Sequence, residues 1–296
     1  MRSREEALSG ENVFPRAPGA YTRGVTEKVR LGGMALPNGV LVHGPRYWAC
    51  SVRTKSGDVR TASGPKPVRS VDVESPLMRG PARIAEVFAL LPVVRRELPE
   101  AKLPFERGRV AAAMAGSALA VRAIRRSRLG AVAQETLAAG LALGPLALVL
   151  RGSELAAYHG AEHISIGSYE HDEPRTREHE RCGTHLVGPL LVTSAVGSLA
   201  VRGAPPHLRG LARLAAGVGA LAASVEVFGW MVRHAGHPLA SALARPGHEL
   251  QQRFVTAEPT PDQLEVAEAA LAECLRLESQ DEKVKAAGSS ADEESA

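Results

Sequence analysis

Four apolar stretches built largely from small residues constrain this chain more than any other feature. They run over residues 110–124, 135–150, 186–201 and 211–232, and Ala, Leu, Val and Gly dominate them. A helix that crosses a bilayer needs roughly 20 mostly apolar residues. Small side chains also let helices approach closely, a common device in membranes. Each stretch sits at the margin of that requirement. The second stops at Arg151, the third contains Gly188-Pro189, and the fourth contains Arg213 and Glu226. Mean hydropathy over the whole chain is only -0.07. Hydropathy therefore leaves two architectures open: the buried helices of a soluble bundle, or a four-helix transmembrane bundle. In the second, the N-terminal region, the loop 151–182 and the C-terminal region all lie on one side of the membrane. The loops Arg125-Arg126-Ser127-Arg128 and 202–209 are basic, and positive loops prefer the cytoplasm, so charge does not settle the orientation.

With 296 residues the chain can form one large domain or two ordinary ones. Aromatic residues make up 4%, so the core must come from aliphatic side chains. The net charge of +4 is scattered, with no basic stripe interleaved by aromatics, and a nucleic-acid partner is not expected. Three widely spaced cysteines, Cys50, Cys182 and Cys274, form no disulfide framework and suit a reducing compartment. The charged, Pro/Gly-rich N-terminus lacks the apolar core of a secretory signal. Composition predicts disordered tails over 1–30 and 277–296. Between them it predicts a small β-rich region, 31–80, and a helical domain, 81–276.

Local patterns refine this division. Residues 39–42 and 47–53 read as strands of a β-hairpin, followed by a turn at Lys55-Ser56-Gly57-Asp58. Residues 84–91 fit an amphipathic helix that begins after Pro81 and ends near Pro92 or Pro99. Thr260-Pro261-Asp262 is a helix start, with Thr as N-cap and Pro at the first helical position. The helix 261–276 that follows repeats Leu264, Ala267, Ala270, Leu271 and Cys274 at helical spacing. The expected fold is thus mainly α: a four-helix apolar, transmembrane bundle with a small N-terminal β-hairpin or sheet and a C-terminal helix packed on the catalytic side.

The chemistry concentrates in the loop region 151–185. His159 and His163, four residues apart, share one helix face and are placed to grip a single ion. Glu162 between them suits a third ligand, an orienting group, or the base that takes a proton from a water activated by the metal. His179 and Cys182 add an imidazole and a thiolate. Three protein ligands would leave a catalytic position open; four would make a closed structural site. Cys182 is alternatively a nucleophile or a buried inert thiol. Glu226, between Val225 and Val227 in an apolar segment, is a candidate distal ligand or proton acceptor, or the partner of Arg213 or Arg233. The H-x-x-E-H order also occurs in inverzincin proteases, with a downstream Glu as third ligand, but the surrounding residues do not resemble those enzymes. Tyr169 to Glu173 reads as a solvated loop or lid. His43 and His185 read as ordinary surface or interface residues. Gly32-Gly33 and Gly39 suit close backbone approach.

These motifs resemble the bacterial DUF1385 family, the YqhQ-like predicted metal-dependent enzymes. Carrying the resemblance are Gly32 to Ala35 with Gly39-Val40, Tyr47 to Ala49, Pro76 to Gly80, Tyr158 to His163, Tyr169-Glu170, His179 with Arg181 to Thr184, and Pro246-Gly247 with Leu250-Gln251 and Gln263 to Ala267. The resemblance implies a multi-pass protein of the bacterial cytoplasmic membrane, its motif loops on the cytoplasmic side, with a metal-dependent activity whose reaction is unassigned. The chain departs from the family pattern at Asn38, where a Glu is usual, and at Leu41-Val42-His43, Glu180 and Val225. The Asn38 change puts part of the activity in doubt, with His43 as the nearest substitute.

Two functions compete at this stage. In the first, zinc or iron(II) held by His159, His163 and one or more of His179, Cys182 and Glu226 activates water for hydrolysis, with Glu162 as base and Cys182 as ligand or nucleophile. In the second, the metal is structural and the protein is a membrane assembly or scaffold factor. The expected partners are the lipid bilayer and a substrate of unknown class; a homo-oligomer is compatible.

Overall fold

The structure is a computed structural model. It describes residues 28–293, apart from positions 74, 104, 105, 107, 131, 132, 135, 136, 139, 142, 143, 145, 146, 148 and 149. Most of the expected N-terminal tail, and part of the second apolar stretch, therefore lie outside the described residues.

Four strands, β1 (Gly32–Leu36), β2 (Gly39–His43), β3 (Tyr47–Arg53) and β4 (Val59–Pro65), form an antiparallel meander in the order β1-β2-β3-β4. Among the described residues seven α-helices with defined bounds follow: α1 (Pro76–Glu97), α2 (Gly108–Arg126), α3 (Glu154–His171), α4 (Val187–Arg202), α5 (Arg209–Arg233), α6 (Pro238–Leu250) and α7 (Pro261–Glu293). The expected hairpin is the centre of this sheet, with Leu41 opposite Cys50 and Val42 opposite Ala49.

Both faces of the sheet are covered, and strand alternation decides which residue meets which helix. Val40, Val42 and Ala49 pack against Tyr158, Ala161 and Ile166 of α3 and against Val266, Ala267, Ala270 and Cys274 of α7. Leu41, Trp48, Cys50 and Val52 point the other way, onto Leu90, Val94 and Leu98. Burying each such aliphatic side chain is worth about 1.5–3 kcal/mol, and this double coverage makes the sheet the centre of the packed unit.

Helix α1 runs through both Pro81 and Pro92, where the sequence suggests a later start and an earlier stop. Each internal proline removes one backbone hydrogen bond and crowds the preceding turn. Docking of Leu90, Val94 and Leu98 on the sheet offsets that cost. The helix ends at Leu98, whose extended-side backbone (φ -135°, ψ 79°) is what the following Pro99 demands.

Helix α7 extends well past the expected boundary at 276. Glu278, only 4% exposed, accepts the backbone N–H groups of Arg46 and Tyr47, each at 2.8 Å, and Arg46 pairs with Asp281. The turn between β2 and β3 thus gives the part of α7 around Glu278 and Asp281 tertiary partners. Asn38 is likewise structural: its side chain donates to the carbonyls of Arg53 and Glu100 and accepts from the N–H of Lys102. It lies at the opposite end of β2 from His43, so His43 does not stand in for a side chain there.

The four-helix transmembrane bundle is overturned. Among the described residues two helical segments, Gly183–Arg202 and Pro206–Arg233, are long and apolar enough to cross a membrane. α2 carries charged residues at both ends and is not one of them. The two segments form a hairpin of unusual polarity. Small groups line its seam: a Cβ on Gly197 would sit 3.3 Å from that of Ala216, and the Thr193 hydroxyl reaches the Ala220 carbonyl at 2.9 Å. Large residues point outward, among them Val192, Val196, Leu199, Leu211, Leu214 and Val218. Only 17% and 22% of the most apolar windows are buried, whereas the core helix of a soluble protein is mostly buried.

Candidate metal centre

The site is built where α3, the segment 175–186 and the end of α6 converge. Ser153 caps α3 by accepting the N–H of Ala156, which fixes where the helix begins. Asp172 ends it in the left-handed conformation (φ 57°, ψ 27°), which a short polar side chain tolerates. The chain then doubles back and brings Cys182 over the helix.

On α3, His159, Glu162 and His163 face this returning segment. The ligand atoms of His159, His163 and Cys182 lie within 4.8 Å of one another. Cys182 Sγ is 3.5 Å from His159 Nε2, and Glu162 Oε2 is 3.8 Å from the same nitrogen. The far nitrogen of each ring is tied to backbone. His159 Nδ1–H donates to the Val255 carbonyl at 2.9 Å, and His163 Nδ1–H to the Arg177 carbonyl at 2.6 Å. Such bonds orient each Nε2 toward the cysteine side of the site, the usual arrangement behind a metal-ligating histidine. His163 is 2% exposed, and its buried Nε2 has no hydrogen-bond partner among the described residues.

Two glycines make this geometry reachable. At Gly33 on β1 a Cβ would overlap the Glu162 carboxylate, and at Gly160 on α3 it would overlap the Ala257 carbonyl. The first lets the sheet edge pass over Glu162. The second lets 255–257 lie against α3, where Ala257 N–H bonds the Ala156 carbonyl at 2.9 Å and Val255 reaches His159.

The electrostatics match a thiolate site. Burial opposes charge on His159, but the neighbouring Cys182 and Glu162 raise it to about 9. Burial pushes the Cys182 thiol up, yet His163 and His159 hold it well below its ordinary value. Thiolate is the form that ligates metals and attacks electrophiles.

Three supporting residues were not legible as functional. Gln251, fully buried in the π-turn after α6, accepts from His179 N–H at 2.8 Å and donates to the His179 carbonyl and the Thr184 hydroxyl. It clamps both sides of the segment bearing Cys182. Glu170 is no loop residue: it lies in the last turn of α3, where its carboxylate takes Arg181 at 2.8 Å and His179 Nε2–H at 3.1 Å. His185 is buried rather than superficial. The one sequence signal for Gln251 and Glu170 is their place within the quoted motifs.

The structure thus brings His159, His163, Cys182 and Glu162 together. His179 sits beside them, its ring 5.5 Å from that of His163, but its Nε2 is engaged by Glu170 and its Nδ1 accepts from Arg181 N–H. In this arrangement His179 braces the segment and is not one of the three clustered donors. Glu226 is exposed on α5 and belongs neither to this group nor to the cavity above it. That cavity, about 450 Å³, is lined on one side by His159, Glu162, His163, Cys182 and His43.

Fold and site together define a class: a four-stranded sheet sandwiched by helices, bearing a His-His-Cys cluster and an apolar helical hairpin. The profile of DUF1385, described as a protein of unknown function, matches residues 131–277 of this chain. The chain is similar to the uncharacterized protein YqhQ of Bacillus subtilis (strain 168), with 34% identity over 134 residues that cover 43% of this chain and 42% of that protein. The match therefore spans less than half the length of this relative. No solved structure matches the chain.

Proposed function

We propose that this protein is a metal-dependent hydrolase held at a membrane by its apolar hairpin. One observation carries the catalytic part: two histidines and a cysteine present their ligand atoms within 4.8 Å of one another, with both imidazoles oriented by backbone carbonyls. The mixed nitrogen and sulfur set suits zinc or iron(II). When bound there, such an ion supplies a Lewis-acidic centre that acidifies water and polarises a carbonyl or phosphoryl oxygen. Three protein donors leave space for substrate. Glu162, 3.8 Å from His159 Nε2 and sheltered beneath Gly33, is placed to take the proton of an attacking water and pass it to the leaving group. Glu170 and Gln251 hold the segment 179–184 so that Cys182 stays in register with α3. The hairpin supports the membrane part, because large apolar residues outside a small-residue seam are stable in lipid and costly in water.

Elemental mass spectrometry tests the reading. Purified wild type is expected to hold roughly one zinc or iron ion per chain, and His159→Ala/His163→Ala none. Cys182→Ser decides between thiolate ligand, which loses the ion, and nucleophile, which keeps it. Glu162→Gln should keep the ion; if it also empties the site, Glu162 is the fourth ligand and a closed, structural metal in a scaffold protein becomes the better account. Absence of stoichiometric metal from folded wild type would overturn the hydrolase reading. For the membrane part, wild type should sediment with vesicles, and release by high salt alone would count against hairpin insertion.

A further inference from the structure

The cavity above the His-His-Cys cluster has two unlike halves. The cluster half is polar. The other half is walled by Ile84, Val87 and Phe88 of α1, Leu186, and Val225 and Phe228 of α5. Among the described side chains, Arg83 at the exposed edge is the one charged group that α1 and α5 contribute. The two helices meet closely, since a Cβ on Gly80 would lie 3.0 Å from Cβ of Val225. The apolar half is therefore a fixed seam between two packed helices.

That seam is continuous with the outside. Phe88, a lining residue, is 52% exposed. α5, which supplies Val225 and Phe228, belongs to the hairpin whose Leu211, Leu214 and Val218 face outward. The cavity wall and the outward-facing hairpin surface thus share one helix, with Val225 about two helical turns beyond Val218. A small polar substrate would have no use for this wall, whereas an alkyl chain gains free energy with each methylene it buries there.

We propose that the cavity takes a medium- or long-chain acyl lipid, its chain between α1 and α5 and its polar acyl end over His159, His163 and Cys182. The assignment of the polar end rests on the hydrolase reading; the assignment of the chain rests on the cavity wall alone. Nothing in the metal cluster itself specifies an apolar substrate.

The test compares two zinc-chelating acids that differ only in chain length, acetohydroxamic and octanohydroxamic acid. Equilibrium dialysis against the zinc-loaded full chain in amphipol avoids detergent, which would compete for the cavity. Octanohydroxamate should bind roughly a hundredfold more tightly than acetohydroxamate. Val87→Trp, which fills the apolar half, should bring the ratio within about threefold while leaving zinc content and acetohydroxamate affinity unchanged. Ile84→Trp serves the same purpose should the first variant not fold. Equal affinities in wild type, or a chain-length gain that survives both fillings, would overturn the proposal while leaving the metal centre standing. If neither hydroxamate binds and no zinc is held, the hydrolase reading has failed. Binding of radiolabelled octanoate then decides the cavity by itself: retention in wild type with loss in Val87→Trp supports it, and no retention overturns it.

Discussion

Along β2, Leu41 and Val42 are enclosed, with α1 on one face and α3 and α7 on the other; along α5, Leu211 and Leu214 are each 67% exposed. The two regions draw on the same aliphatic alphabet and differ in what meets it. In the sheet unit large residues point inward and interdigitate, the outcome expected when water drives apolar surface together. In the α4–α5 hairpin the small residues point inward and the large ones outward, the outcome expected when close backbone approach holds helices together and the surroundings are apolar. Hydropathy averages over both cases. Only the direction in which the large side chains point separates them.

Stability measurements can break that contrast. Trp48→Ala, which empties the space beneath α1, should cost about 3–5 kcal/mol in urea denaturation of the sheet unit. A loss of similar size from Leu214→Ala would mean that the hairpin is packed after all.

Acid should strike the sheet unit as well. Burial, then the Lys66 charge, lowers His43 to about 4 from its ordinary 6.5. A histidine whose folded value is depressed favours the fold when neutral. Its contribution is complete above pH 6.5 and lost as pH falls toward 4, roughly 3 kcal/mol in all. Glu86 acts with the same sign: burial works against its charge, but Lys66 and the Ser70 N–H hold it below the usual carboxylate range. Its contribution also disappears as pH falls. His43→Asn should flatten the upper part of a stability–pH curve between 6.5 and 4; an unchanged curve would remove His43 from the account.

Glu278→Ala should cost about 2 kcal/mol by stranding the Arg46 and Tyr47 N–H groups, and should speed hydrogen exchange in the part of α7 around residue 278. Unaltered exchange there would show that α7 does not depend on the β2–β3 turn. The smallest effect is expected on the hairpin surface: Leu211→Ala and Leu214→Ala should each change stability in water by no more than about 0.5 kcal/mol.

The spacing of His159, Glu162 and His163 could be read without a structure, because helical periodicity places residues four apart on one face. Cys182 could be suggested but not placed. Its position depends on a chain reversal at Asp172 and on Gln251, which is distant in sequence. Glu226 misled for the opposite reason. Its apolar neighbours in sequence imply burial, yet on a helix the residues beside it point to other sides, and its own direction is outward. Glu170 reads as solvated from the sequence, since an acidic run looks like surface until its partners His179 and Arg181 are in view.

By itself, then, the sequence determined the local elements: the hairpin turn, the start of α7, the apolar helices and the pair of histidines on one face. Each depends on residues within a few turns or a single loop. Tertiary structure alone decided which histidines converge on the cysteine, that Asn38 and Glu278 are structural, and that the large residues of the two candidate spans among the described residues point outward. Those outcomes turn on the directions of side chains and on partners tens or hundreds of residues away, such as Glu278 and Tyr47, which no local pattern encodes.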